Sequence, residues 1–224
     1  MKICCISDTH TQHEKLTPDM PECDILIHAG DITYTGRPEK LESFLRWFRQ
    51  QPADHKVFIA GNHDWIFHKD KHLARSILSE YPEITYLQDS STTIDGLHIW
   101  GSPWTPRFFD WAFNLDDDQL ESAWEAIPHN ADVVITHGPM WKIGDYVPER
   151  GDFTSPNFSP AHSAGCKFLR HALLKNVRPM LHVCGHIHEG YGTYGIDNDS
   201  IVSINASSLN GQYKYTNKPI TISL

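Results

Sequence analysis

Short apolar runs that stop abruptly at a polar or small residue alternate with amphipathic stretches along the first third of the chain. Ile3–Ile6 has the length and composition of a buried strand and ends in Ser7-Asp8-Thr9-His10. Asp24–Ala29 predicts a second strand, ending in Gly30-Asp31. Between it and the next run, Leu41, Phe44, Leu45 and Phe48 fall at i, i+3, i+4 and i+7, with Pro38 suited to the first turn of a helix. Val57–Ala60 then predicts a strand that delivers Gly61-Asn62-His63-Asp64, and Leu73, Ile77 and Leu78 mark a helical stretch near Lys69–Ser79. Strands alternating with helices in this way predict parallel βαβ units.

After Pro82 the pattern shifts to short strands, Ile84–Leu87, Ser91–Ile94 and Leu97–Trp100, with Asp95-Gly96 as a hairpin signal between the last two. Gly101-Ser102-Pro103-Trp104-Thr105-Pro106 breaks the run. Asp116-Asp117-Asp118 lacks the glycine and distal glutamate of a calcium loop and fits the acidic first turn of a helix reaching about Ile127. Asp132–Thr136 predicts a strand ending in His137-Gly138-Pro139. The segment from there to Pro160 is rich in Pro and Gly and has no period. Its aromatics Trp141, Tyr146, Phe153 and Phe158 predict an ordered functional loop bordering a pocket. A helix near His162–Lys175 and a strand Met180–Cys184 lead to Gly185-His186-Ile187-His188, and Ile201–Ile204 and Ile220–Ile222 read as strands. No repeat or linker divides the 224 residues, so one α/β domain spanning residues 1–224 is expected.

Composition narrows the classes. Hydrophobic residues at 40% and charged residues at 21% describe a globular chain, and no apolar run approaches the roughly 20 residues of a membrane span. Met1-Lys2-Ile3 enters a strand directly, without the pattern of a signal peptide, so a soluble cytoplasmic protein is expected. The five cysteines form no Cys-x-x-Cys pair, and Cys4, Cys5 and Cys184 lie in apolar runs, as buried thiols of a reducing compartment do. The Asn-x-Ser triplets at Asn157, Asn198 and Asn205 are accordingly expected to carry no glycan. A net charge of −9 without a basic stripe argues against a nucleic-acid polymer as partner.

The 15 histidines change the picture most, because several stand beside Asp, Asn or Gly at strand ends. Five such ends offer Asp8 and His10, Asp31, Asn62 and His63, His137, and His186 with His188. Carboxyl ends of strands are where open α/β sheets place ligands. Two divalent ions need several protein ligands with one shared between them, and a carboxylate suits the bridge because it has two oxygens and offsets cation repulsion. Asp8 and His10 are two apart, as are His186 and His188, which puts each pair on one face of an extended segment. Each motif alone is weak; the ordered set is not. Mixed nitrogen and oxygen donors without thiolate suit two ions of Mn²⁺, Fe, Co²⁺, Ni²⁺ or Zn²⁺, Mn²⁺ foremost.

The order Asp-x-His, Gly-Asp, Gly-Asn-His-Asp, His-Gly-Pro, Gly-His-x-His across residues 8–188 resembles the calcineurin-like metallophosphoesterase superfamily. Tyr86-Leu87-Gln88-Asp89-Ser90, Gly101-Ser102-Pro103-Trp104-Thr105-Pro106, His186-Ile187-His188-Glu189-Gly190-Tyr191-Gly192 and Ile204-Asn205-Ala206-Ser207 are similar to its metallophosphoesterase-domain-containing branch. That branch lies close to the class III cyclic-nucleotide phosphodiesterases. Its animal members carry glycine at the position of His186, which weakens their metal site; the histidine here implies the full set. The resemblance implies a four-layer α/β/β/α sandwich. It also implies one ion on Asp8, His10, Asp31 and His188, and a second on Asp31, Asn62, His137 and His186. His63 would then be the general acid, with Asp64 or a backbone group orienting its other nitrogen, and a metal-bridging hydroxide would attack phosphorus. Protein phosphatases of the superfamily carry Gly-Asp-x-x-Asp-Arg-Gly and Arg-Gly-Asn-His-Glu, and both arginines are absent from this chain. The expected substrates are therefore small phosphodiesters, 2′,3′- or 3′,5′-cyclic nucleotides foremost. Asn62, His63, Trp141 and Tyr146 are the expected substrate contacts, and a monomer or homodimer is expected. A phosphomonoesterase, a nuclease or a non-catalytic scaffold are the alternatives.

Overall fold

The computed structural model describes residues 1–149, 160–196 and 200–224. A parallel unit comes first. It contains β1 (Lys2–Ile6), a 3-10 turn at His13–Asp19, β2 (Cys23–Ala29), α1 (Pro38–Arg49), β3 (Ala53–Ile59), the helices α2 (Trp65–Lys69) and α3 (Lys71–Leu78), and β4 (Ile84–Tyr86). A hairpin of β5 (Ser90–Ile94) and β6 (Leu97–Ser102) follows, then the two-residue strands β7 (Thr105–Pro106) and β8 (Asn114–Leu115), and α4 (Asp117–Glu125). Next come β9 (Val133–Thr136), β10 (Tyr146–Val147), β11 (His162–Ser163) and α5 (Lys167–His171), which widens into a π-helical turn to Val177. β12 (Leu181–Cys184), β13 (Gly192–Ile196), β14 (Ile201–Asn205) and β15 (Ile220–Ser223) complete the described elements.

Two main sheets result, in the orders β15-β1-β2-β3-β4 and β13-β14-β12-β9-β6-β5. The strands are near-continuously buried because both faces of each sheet are covered. Alternation decides which side chain goes where. Ile3, Cys5, Ile25, Ile27, Val57 and Ile59 of the first sheet meet Ile99, Val133, Ile135, Leu181, Val183 and Ile204 of the second, forming a core between the sheets. On the outer face of the first sheet, Cys4, Ile6, Leu26 and Phe58 pack on Leu41, Phe44, Leu45 and Phe48 of α1. On the outer face of the second, Trp100 and Val134 pack on Leu120 and Trp124 of α4 and on Leu169 and Leu173. Three successive cores make four layers, α/β/β/α, as expected.

Some boundaries differ from the sequence expectation. The helix expected near Lys69–Ser79 is α3, and a separate short helix, α2, precedes it unexpectedly; the break falls at Asp70, whose side chain accepts from the Leu73 N–H and so starts α3 afresh. The helix expected from His162 begins only at Lys167, because His162 and Ser163 pair with Val147 and Tyr146. The acidic triplet does start a helix: Asp116 and Gln119 form a reciprocal cap. Asn205 is buried and its amide donates to the carbonyls of Gly144 and Ile187, which leaves no room for a glycan. Arg150, Phe153, Asn157, Phe158 and Asn198 lie outside the described residues. Among the described residues, no helix is long and apolar enough to cross a membrane.

Candidate metal centre

The carboxyl ends of β1, β2, β3, β9 and β12 meet at one edge of the sandwich, stitched by backbone bonds from Asp8 N–H to the Gly30 carbonyl (2.9 Å) and from Gly185 N–H to the His137 carbonyl (2.9 Å). Beyond β1 the chain does not continue as a strand. Asp8 and His10 adopt left-handed backbone angles (φ 52° and 39°). Asp8 Oδ2 accepts from Ser207 Oγ (2.9 Å), the His186 N–H is shared between Oδ2 (2.9 Å) and Oδ1 (3.1 Å), and Oδ1 lies 3.4 Å from His188 Nε2. His188 in turn bonds the Asn210 carbonyl through Nδ1 (3.0 Å), which aims Nε2 inward. Asp8, His10 and His188 bring their ligand atoms within 4.8 Å of one another.

Asp31, also left-handed (φ 56°), follows β2. Its Oδ1 accepts from the His63 N–H (2.8 Å). Its Oδ2 faces His137 Nε2 at 3.3 Å, His10 Nε2 at 3.7 Å and His63 Nε2 at 4.0 Å. His137 donates from Nδ1 to the Ala29 carbonyl (2.9 Å), and its Nε2 lies 2.9 Å from Asn62 Oδ1. Asp31, His137 and His186 form a second group within 4.8 Å. A third, of His10, Asp31 and His63, shares members with both.

The donor set fits divalent cations. Two atoms bound to one ion at about 2.1 Å lie about 3.0–3.4 Å apart, the separation of the Asp8–His188 and Asp31–His137 pairs. Two oxygens, from Asn62 and Asp31, converge on a single imidazole nitrogen of His137. Both ring nitrogens of His10 are buried with no hydrogen-bond partner among the described residues, a state that is costly unless the group has another ligand.

Charge follows from this packing. Burial works against the ionised form of Asp31, yet His137, His63 and His10 outweigh it and hold its pKa below the ordinary carboxylate value. Burial likewise opposes ionisation of Asp8, and its hydrogen bond and charge interaction with His188 reverse the balance. Burial lowers His10 to about 4, and burial with the neighbouring His137 lowers His186 to about 4. For His137 burial is overcome by Asp31, which raises its pKa to about 9.

Three expectations need correction. Asp64 does not orient His63. Its carboxylate accepts from the backbone N–H groups of Gly61 (2.9 Å), Ile32 (3.1 Å) and Thr33 (2.8 Å) and from Thr33 Oγ1 (2.8 Å), and so joins two loops. Burial and the charge of Asp31 push its pKa up to about 6. The backbone alternative holds instead: the carbonyl of Tyr34 accepts from His63 Nδ1 (2.8 Å). Trp141 and Tyr146 do not line the cavity over the centre. The ring of Trp141 is covered by Lys142 Nζ (4.4 Å) and Lys167 Nζ (5.2 Å), and Tyr146 points to solvent from β10. The loop reaches the cavity through Val147 instead.

The cavity, about 730 Å³, is lined by Asp31, Asn62, His63, His186 and His188 at its base, and by Phe108, Phe109, Trp111 and Tyr213 above. Trp111 lies against the His63 ring, centroids 4.3 Å apart. These aromatics were not expected from the sequence; Phe108-Phe109-Asp110-Trp111 was the available signal, lost because no periodicity follows Pro106.

Residues 1–190 match the family model of the calcineurin-like phosphoesterases. The chain belongs to that family. Metallophosphoesterase domain-containing protein 1 of Homo sapiens is 35% identical over 244 residues, covering 100% of this chain and 71% of that protein. UPF0046 protein K07C11.7 of Caenorhabditis elegans is 33% identical, covering 98% and 74%. TT1561 of Thermus thermophilus has the same fold, with a TM-score of 0.60 over 91% of this chain and 88% of that one at 14% identity. As a member of this metal-dependent family the protein is a phosphoric ester hydrolase, and its His/Asp groups are the candidate metal ligands.

Proposed function

We propose that the protein is a dinuclear-metal phosphodiesterase acting on small phosphodiesters, cyclic nucleotides foremost. The observation that carries this reading is Asp31 Oδ2, which faces histidines of both ligand groups while His63 stands beside them with its Nδ1 already engaged. Asp8, His10, Asp31 and His188 would hold one ion, and Asp31, Asn62, His137 and His186 the other, Mn²⁺ foremost and Fe, Zn²⁺, Co²⁺ or Ni²⁺ otherwise. When bound, such ions supply a water of lowered pKa and neutralise phosphoryl oxygens.

The chain's own residues do the rest. Because a carbonyl can only accept, His63 Nδ1–H donates to Tyr34, and Nε2 is the atom free to carry a transferable proton. Directed at the leaving oxygen, that proton makes His63 a general acid. Trp111 backs the ring and, with Phe108 and Phe109, offers the stacking surface that Trp141 and Tyr146 do not. Among the described lining residues Arg107 is the one Lys or Arg, and its guanidinium is already paired with Asp116. A dianionic monoester would find little cationic help beyond the ions, whereas a monoanionic diester needs less. The 2′,3′-cyclic ring comes ahead of the 3′,5′ one because its strain eases opening.

The test is kcat/KM with Mn²⁺ for bis-p-nitrophenyl phosphate against p-nitrophenyl phosphate, then for the two cyclic nucleotide classes. A clear preference for the monoester overturns the diesterase assignment.

A further inference from the structure

His10 differs from two other candidate ligand histidines. His137 and His188 each have their inward-facing Nε2 set by a bond from Nδ1 to a backbone carbonyl, at 2.9 Å and 3.0 Å. Such an outer bond is the usual means by which a metal-ligating imidazole is oriented. His10 has no such bond, and neither ring nitrogen reaches solvent. Its backbone is fixed, with the His10 N–H on the Asp31 carbonyl (3.0 Å) and the Thr11 N–H on the Ile32 carbonyl (2.8 Å). Those bonds do not determine the rotation of the ring.

What surrounds the ring is aromatic. Tyr34 and Tyr213 both lie 5.0 Å from it, centroid to centroid, with His63 at 4.8 Å and His188 at 5.4 Å. The two tyrosines stack on each other at 5.7 Å with planes 29° apart. Gln12 ties the pair by donating Nε2 to the Tyr213 carbonyl (3.0 Å), with the Tyr34 hydroxyl at 3.5 Å. Tyr213 arrives from a turn near the end of the chain, with its own backbone left-handed (φ 57°). Tyr34 has a second attachment, since its carbonyl holds His63 Nδ1. One residue thus contacts a candidate ligand through its ring and the candidate acid through its main chain.

We propose that Tyr34 and Tyr213 are positioning residues that clamp the imidazole of His10 by ring packing, in place of the hydrogen bond its neighbours use, and so set how tightly the Asp8–His10–His188 group retains its ion. The proposal rests on the dinuclear reading above. Packing is adequate for the task because a flat, buried ring held on several sides has few rotamers left, even though the two tyrosines are themselves partly open to solvent. The tyrosine hydroxyls are not required by this role, but the rings are. Loss of a ring frees the rotation of His10, which lowers ion affinity without removing any donor atom.

The experiment titrates Mn²⁺ and Zn²⁺ into the metal-stripped full chain by calorimetry, for wild type, Tyr34→Leu, Tyr213→Leu, Tyr34→Phe and Tyr213→Phe. The metal-free melting temperature of each is measured alongside. Wild type and both Phe variants should bind two ions alike. The Leu variants should weaken one ion by about 10- to 100-fold, the usual effect of losing an outer-shell support, and leave the other within about threefold. Leu variants that bind both ions as wild type does would overturn the clamp alone, because the two-ion stoichiometry of wild type would still stand. Phe variants as weak as the Leu variants would overturn it in favour of a hydroxyl role. Equal weakening at both ions with a lowered metal-free melting temperature would assign the tyrosines to general packing and overturn it too. A wild type that binds no second ion would sink the dinuclear reading and the clamp with it.

Discussion

Gly61→Ala is the smallest change that should dismantle the centre. Gly61 lies between β3 and Asn62, and a methyl group there would come within 2.3 Å of Asp31 Oδ1, 2.4 Å of the Asp31 backbone nitrogen and 2.7 Å of His137 Cε1. Ordinary contact begins near 3.4 Å, so these groups must retreat by about 0.7–1.1 Å. None can do so freely. Asp31 Oδ1 is held by the His63 N–H at 2.8 Å, and the His137 ring by the Ala29 carbonyl at 2.9 Å. Overpacking of this kind costs about 1–3 kcal/mol, which in a chain of this size lowers the melting temperature by about 2–12 °C. The functional loss should be far larger, because a displacement of about 1 Å in a catalytic constellation costs on the order of 10²-fold in rate. Gly96→Ala is the control: no atom lies within 4 Å of the added carbon there, but φ is +88°, so it strains the backbone in the Asp95-Gly96 turn and touches no ligand. Calorimetric melting, bound metal by elemental analysis and kcat on bis-p-nitrophenyl phosphate separate the two. Gly96→Ala should lose stability with metal and kcat intact, and Gly61→Ala should lose all three. A Gly61→Ala protein with full metal content and near-normal kcat would refute the packing argument.

His63→Ala should keep its metal and lose kcat by about 10²–10⁴, with nitrophenyl esters partly spared by their good leaving group; loss of metal would instead place His63 among the ligands, as its group with His10 and Asp31 allows. Asp31→Asn removes charge from both ligand groups, so elemental analysis should find both ions depleted and turnover abolished, and retention of either would misassign the bridge. Chelation should strip the ions without unfolding the loops, since each carboxylate already binds a neighbouring loop; collapse of near-ultraviolet dichroism in chelator would contradict this. His182 supplies a pH test. Thr136 Oγ1 donates to the Gly138 carbonyl, so it accepts from His182 Nε2–H, and Nδ1 accepts from Ser203; the ring is held neutral, and burial lowers its pKa from 6.5 to about 3. With the folded pKa below the unfolded one, the unfolded chain takes up the proton first. The stabilisation is whole above about pH 6.5 and declines as pH falls towards 3, by about 2 kcal/mol at pH 5. Urea titrations of wild type and His182→Gln should therefore converge by about that amount between pH 7.5 and 5, and parallel curves would refute a neutral buried His182.

The strands and the order of the candidate ligands were legible because a doubly covered parallel strand is a short apolar run, and the site begins where the run stops. Val57–Ile59 followed by Gly61-Asn62-His63-Asp64 shows it plainly. What was not legible depended on contacts rather than spacing. Adjacency to His63 left Asp64 or a backbone group to orient it; the Tyr34 carbonyl does so, and the Asp64 carboxylate turns away to collect donors from Gly61, Ile32 and Thr33. Trp141 stood in the right loop, but two lysines cover its ring, and the cavity wall comes from Phe108, Phe109 and Trp111, which obey no period. Tyr213 lies far along the chain from His10, and nothing local marks it as a neighbour.

The spacing of Asp8 and His10 also predicted the right convergence for an incomplete reason. A strand would have put both on one face by alternation, but Asp8, His10, Asp31 and His186 all have left-handed backbones. Such conformations cost roughly 1–3 kcal/mol each in non-glycine residues and persist only where their surroundings over-determine them. The surroundings here are the carboxylates themselves. Asp8 accepts the N–H of His186, Asp31 that of His63, and Asp64 those of Gly61, Ile32 and Thr33. Each acid therefore fastens the loop of another strand, and two strained turns present such an N–H: His186 to Asp8, and Ile32, next to the left-handed Asp31, to Asp64. A charge that binds an inter-loop amide with one face has its remaining lone pairs directed at the gap between the loops. The same left-handed turns that bring the loops together thus leave Asp8 Oδ1 and Asp31 Oδ2 facing the imidazoles across that gap. Strain, loop closure and ligand direction are one arrangement, which is why the strain sits at the candidate ligands themselves.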